Sequence, residues 1–142
     1  FLAQHRDSSA DNAMQRSAAG RVLAIATVTQ SLHFAEEALT GFPERLGALL
    51  GIPAMPMSFF LLFNVAWLGI WVISVPGVRS ARKGAFFAAW FLAIAGMFNA
   101  IAHPLLAVAA SGYFPGLVSS PFIGAAGVWL WLRLQSATRT TH

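Results

Sequence analysis

The chain has 142 residues, 57% of them hydrophobic and only 10% charged, with nine Lys and Arg against five Asp and Glu for a formal net charge of +4. With a mean hydropathy of +0.65, this is too apolar for a soluble domain of such length and reads as one domain dissolved in lipid. The basic residues stand at segment edges and form no stripe, which argues against nucleic-acid binding, and the absence of cysteine excludes a disulfide framework and any thiolate metal site.

Residues 1–19 read as a polar N-terminal tail without the apolar core of a signal peptide. The chain begins at Phe1 and not at Met, so we expect its start to be processed or to lie upstream, with Met14 as an alternative start. Four apolar segments follow, at about 20–39, 57–75, 85–108 and 116–134, each near the ~20 residues that a spanning helix needs. The fold class expected is therefore all-α: a polytopic four-helix membrane bundle over residues 20–134. Between the first two segments, residues 41–56 are punctuated by Pro43, Pro53 and Pro56 and carry Leu46, Leu49 and Leu50 on one helical face, the pattern of an interfacial segment. Residues 135–142 form a C-terminal tail. His103 precedes Pro104, which is expected to kink or end the third segment there. The fourth segment bears Gly116, Ser120, Gly124 and Gly127, a stripe of small residues suited to close helix packing.

The basic residues orient these segments. Arg6, Arg16 and Arg21 precede the first, Arg79, Arg82 and Lys83 lie between the second and third, and Arg133 and Arg139 close the fourth. Eight of the nine thus fall on one side, leaving Arg45 opposite, so four spans with both termini cytoplasmic satisfy the positive-inside rule. An alanine-rich chain with a single Lys points to a bacterial inner (plasma) membrane.

Polar residues inside such segments are costly, about 3 kcal/mol for a lipid-facing charge, and therefore mark function. The first segment holds Gln30, His33, Glu36 and Glu37 on one face at about 100° per residue. The third adds Asn99 and His103, four apart, the second adds Asn64, and the fourth starts behind Tyr113, Ser119 and Ser120. The topology puts all of them toward the same, non-cytoplasmic end. The only Lys or Arg within the span limits, Arg21 and Arg133, stand at the far, cytoplasmic end and do not neutralise Glu36 and Glu37. The two carboxyls can be protonated, bonded to histidine, wetted at the outer mouth, or bound to a metal. His33, Glu37 and His103 are the candidate ligands for zinc, iron or manganese.

His33-Phe34-Ala35-Glu36-Glu37 reads H-x-x-E-E, His103 supplies a second histidine, and Tyr113-Phe114-Pro115-Gly116 reads Y-x-P-G. In this combination and order the chain resembles the HXXEE family of small membrane proteins. The resemblance covers roughly residues 24–120 and implies that His33, Glu36, Glu37, His103, Tyr113, Pro115 and Gly116 act as one signature; it implies no reaction.

Three functions are compatible with these residues. The first is a membrane-embedded, metal-dependent enzyme acting on a small hydrophobic or lipid substrate, with Glu36 or Glu37 as base and Tyr113 or Asn99 polarising the substrate. The second is a metal-free acid/base enzyme of isomerase type. The third is a non-catalytic subunit or proton-relay element of a membrane complex. Four short helices offer little room, which favours a homodimer or a larger assembly.

Overall fold

A computed structural model describes the backbone of residues 2–139 and the side chains of residues 9–139. Five helices carry it: α1 (Leu2–Leu39), α2 (Phe42–Leu50), α3 (Met57–Arg79), α4 (Lys83–Ala109) and α5 (Ser120–Arg139), with no strand among the described residues.

Helix α1 corrects the expected polar tail, because it runs unbroken for 38 residues, roughly 57 Å. Residues 2–19 are polar but rich in good helix formers, so the change in polarity near Gly20 is not a change in backbone. The helix stops at Thr40 and Gly41, the latter at φ 74°, where glycine turns the chain without a Cβ penalty. Pro43 then sits in the first turn of α2, where its missing N–H costs nothing. Gly51 at φ 68° ends α2, and Pro53 and Pro56 keep the following linker out of helix until Met57.

Helices α3 and α4 form a hairpin through residues 80–82. Pro104 neither ends nor shortens α4, which continues to Ala109. The fourth segment starts later than expected: residues 116–119 form a turn, with Gly116 at φ 87°, and α5 begins at Ser120. It also extends to Arg139, so residues 135–139 of the expected C-terminal tail are helical, while 140–142 lie outside the described residues.

Around the bundle α1 packs on α3 and α5, and α4 packs on α5 and α3, so that α1 and α4 face each other across a diagonal. The tightest seam is α4 on α5. A Cβ on Gly96 would lie 2.7 Å from the Ile123 carbonyl oxygen, and one on Gly127 would lie 2.7 Å from that of Ala93. The small-residue stripe therefore divides its work: Gly124 and Gly127 serve this seam and Gly116 does not. Leu23, Leu92, Ile123, Leu130 and Leu134 fill the centre and are fully buried.

Helices α3 and α4 are long and apolar enough to cross a membrane. Only 17% and 33% of their most apolar stretches is buried, and their outer faces present Leu62, Ile73, Phe87 and Phe98 to the surroundings. Helices α1 and α5 are more polar.

Candidate metal centre

The diagonal between α1 and α4 closes at one end of the bundle, where the rings of His33 and His103 meet edge to face with centroids 4.7 Å apart. His33 and Glu37 share a face of α1 because they are four residues apart, and His103 reaches across from α4. All three are buried, at 0%, 7% and 2% exposure, so their polar atoms need partners within the protein or a bound ion.

The tautomers follow from the hydrogen bonds. His103 Nδ1 lies 2.7 Å from the carbonyl oxygen of Pro115, which can only accept, so Nδ1 carries the hydrogen. His33 Nδ1 lies 2.7 Å from Ser119 Oγ, and that hydroxyl already donates its one hydrogen to Glu36 Oε2, so Nδ1 of His33 is again the donor. In the neutral rings both Nε2 atoms are then bare lone pairs. They point at the same atom: Glu37 Oε1 is 3.3 Å from His103 Nε2 and 3.6 Å from His33 Nε2. His33 Nε2 is buried with no partner of its own.

Three acceptors thus converge, all within 4.8 Å of one another, with no donor between them. That arrangement is repulsive until a proton or a metal ion enters. Ligands at the ~2.0–2.1 Å of zinc–nitrogen and zinc–oxygen bonds in tetrahedral geometry stand about 3.3–3.4 Å apart, close to the two histidine–carboxylate separations, whereas the three donor atoms together span up to 4.8 Å, so the imidazoles must draw in to share one ion. Histidine ligands whose far nitrogens are held by a carbonyl or a carboxylate-linked hydroxyl are the usual support of such a centre. His33, Glu37 and His103 thus form a cluster that could hold a metal ion.

The two glutamates of the H-x-x-E-E motif have opposite tasks. Glu36, one position before Glu37 and about 100° around the helix, faces the 110–119 loop. Its Oε1 accepts from Tyr113 Oη at 2.7 Å and from the Val118 N–H at 3.1 Å, and its Oε2 accepts from the Ser119 N–H at 2.8 Å and the Ser119 hydroxyl. Four donors leave this carboxylate no free lone pair for base work. Tyr113, offered from sequence as a catalytic phenol, is spent on the same carboxylate; burial and then that hydrogen bond raise its pKa above the ordinary phenol value. Arg45 ties down the same loop by donating to the Tyr113 carbonyl at 2.8 Å.

Pro115 and Gly116 explain themselves geometrically. Pro115 supplies the carbonyl that orients His103. A Cβ on Gly116 would fall 2.6 Å from Nδ1 of His103 and 2.9 Å from Cε1 of His33, so only glycine lets the loop close over both rings. Ser120 does not join the site, since its hydroxyl turns back to the Leu117 carbonyl.

Two cavities flank Glu37, with Phe42 and Asn99 at the partition. One, of about 530 Å³, lies between α2 and α4. The other, of about 290 Å³, lies among α1, α3 and α4 and receives Gln30, Asn64 and Asn99. Asn64 donates to the Phe60 carbonyl at 2.9 Å while its side chain lines this space. Sequence reasoning missed Phe42, which stacks on Phe60 at 5.7 Å and packs on His103 at 5.8 Å. It also missed the wall of the smaller cavity, though Phe59, Phe63, Trp67 and Trp71 recur every four residues along α3.

No family model, curated protein or solved structure matches the chain.

Proposed function

We propose that the chain is a membrane-embedded, metal-dependent enzyme acting on a small hydrophobic or lipid substrate, and that it belongs with the HXXEE proteins its motifs resemble. The observation that carries the reading is the meeting of three buried lone pairs, two of them on imidazoles locked by their far nitrogens, around a space with no donor. Zinc, iron or manganese suits such a nitrogen and oxygen donor set. A divalent ion with three protein ligands and an open position supplies a Lewis acid for a substrate oxygen and lowers the pKa of water.

The protein's own part is to hold the imidazoles in one tautomer, exclude bulk water and offer Asn99 beside the open side of Glu37. The metal-free reading, in which Glu37 and a histidine share a proton, is supported less well. Charge-assisted N–H···O bonds run at about 2.7–2.9 Å, shorter than either histidine to Glu37 separation.

In this reading α1, α3, α4 and α5 all cross the bacterial inner membrane, both termini are cytoplasmic, and α2 lies in the outer interface. Eight of nine basic residues on one side and the apolar outer faces of α3 and α4 support it.

Elemental analysis of the detergent-purified protein tests the centre. Near-stoichiometric zinc, iron or manganese is expected in the wild type and is expected to vanish in His33→Ala and in Glu37→Ala. A well-folded wild type that takes up none of these metals when they are supplied would overturn the reading.

A further inference from the structure

We infer that the aromatic cavity beside the centre binds one neutral, single-chain lipid whose head donates a hydrogen bond, a long-chain alcohol or amide. The inference deepens the catalytic reading and rests on it for the role of substrate, whereas binding itself is tested independently of the metal.

Size comes first. At about 290 Å³ the cavity sits at the lower edge of the roughly 300–1,000 Å³ of small-molecule sites, room for one chain and not for a two-chain phospholipid. Its wall from Phe59 to Trp71 follows α3 for about 18 Å, a path for an extended alkyl or isoprenoid chain. Trp67 and Phe91, with ring centroids 4.4 Å apart, join α3 to α4 along it.

The head is selected by charge and by one orphaned atom. The lining includes no Lys or Arg, and its one carboxylate, Glu37, lies two helical turns, ~10 Å, along α1 from Gln30, so a charged head of either sign seated among the carboxamides has no compensating partner. A neutral head remains, and the cavity offers it the carboxamides of Gln30, Asn64 and Asn99. Gln30 sits almost directly below Glu37 on α1, seven residues away, and its Oε1 is buried without any hydrogen-bond partner. A buried acceptor left unpaired costs about 1–3 kcal/mol. Because Gln30 lines the cavity, turning its carboxamide toward that space lets an O–H or N–H on the ligand satisfy it; an ether or an alkane cannot.

The test uses the full chain in detergent and a long-chain alcohol bearing a photoactivatable diazirine at its far end, with labelled peptides located by mass spectrometry. Saturable labelling is expected on α3 around Trp67 and Trp71 and on α4 around Phe91. Unlabelled long-chain alcohol should displace the probe about tenfold better than its methyl ether, and Gln30→Met should erase that difference. Ala95→Phe, which fills the cavity, should abolish the saturable label while leaving the metal content unchanged. Labelling that is unsaturable and spread over the outward faces at Leu62, Ile73 and Phe87 would overturn the inference. So would equal competition by the ether, or stronger competition by the matching amine or fatty acid. The wild-type competition series stands even if a variant misfolds. Saturable labelling in a protein that takes up no metal would sink the catalytic reading and leave the lipid site; metal without saturable labelling would do the reverse.

Discussion

Ser119 gives Glu36 both its backbone N–H, at 2.8 Å, and its hydroxyl, although the two residues lie 83 apart in sequence. The same hydroxyl accepts from His33, so Glu36 fixes the orientation of one candidate metal ligand without touching the centre. Removing this support should weaken the site and not erase it. Ser119→Ala and Glu36→Gln are expected to lower metal affinity about 10–100-fold while full stoichiometry returns at high metal concentration. Chelator competition measures the change, and an affinity equal to wild type in both would show that the Glu36 network does not hold His33.

Gly116 should tolerate no side chain. Gly116→Ala combines a left-handed backbone with a methyl group driven into both imidazoles, an expected loss of roughly 2–5 kcal/mol together with the loss of bound metal. Gly112, in the same loop, has nothing within 4 Å of its Cβ position, so Gly112→Ala serves as the control. Thermal unfolding in detergent compares them; two equal midpoints would mean the loop does not close as described.

Tyr113 is the only tyrosine in the chain, which makes its titration visible in near-ultraviolet absorbance. Burial and the Glu36 carboxylate push its ionisation above the ordinary value of about 10. Because the folded value exceeds the unfolded one, the stability contributed by the neutral phenol is fully present below about pH 10 and is lost as pH rises through the raised value. Glu36→Gln should move the curve back toward the ordinary position. A wild-type curve already there would mean that the bond between Tyr113 and Glu36 is absent in solution.

Topology can be read in intact cells because the chain has no cysteine. Single cysteines at Glu44 and Ser80, both exposed, should differ: a membrane-impermeant thiol reagent should label position 44 directly and position 80 only after permeabilisation. Labelling of both from one side would rule out four spans with cytoplasmic termini.

Much of the centre was legible in particular residues. Helical periodicity alone put His33 and Glu37 on one face, and the alternation of apolar segments put His103 at the same end of the bundle. The periodicity of Phe59, Phe63, Trp67 and Trp71 carried the cavity wall as well, but aromatic stripes on apolar helices also arise from packing alone. The division of labour between Glu36 and Glu37 was not legible, since both lie on the polar face. Nor was the helical state of residues 2–19, where polarity changes but helix propensity does not.

By itself, then, the sequence determined an all-helical chain of apolar segments with a polar cluster toward one end, because local periodicity and composition are properties of each segment. The tertiary structure decided which carboxylate enters the centre, that Tyr113 donates to the other one, and that Gly116 is the contact closing the site. Those outcomes depend on how far each helix is rotated about its own axis, and that rotation is set by contacts between segments, such as Gly96 on Ile123 and Gly127 on Ala93, which no single segment encodes.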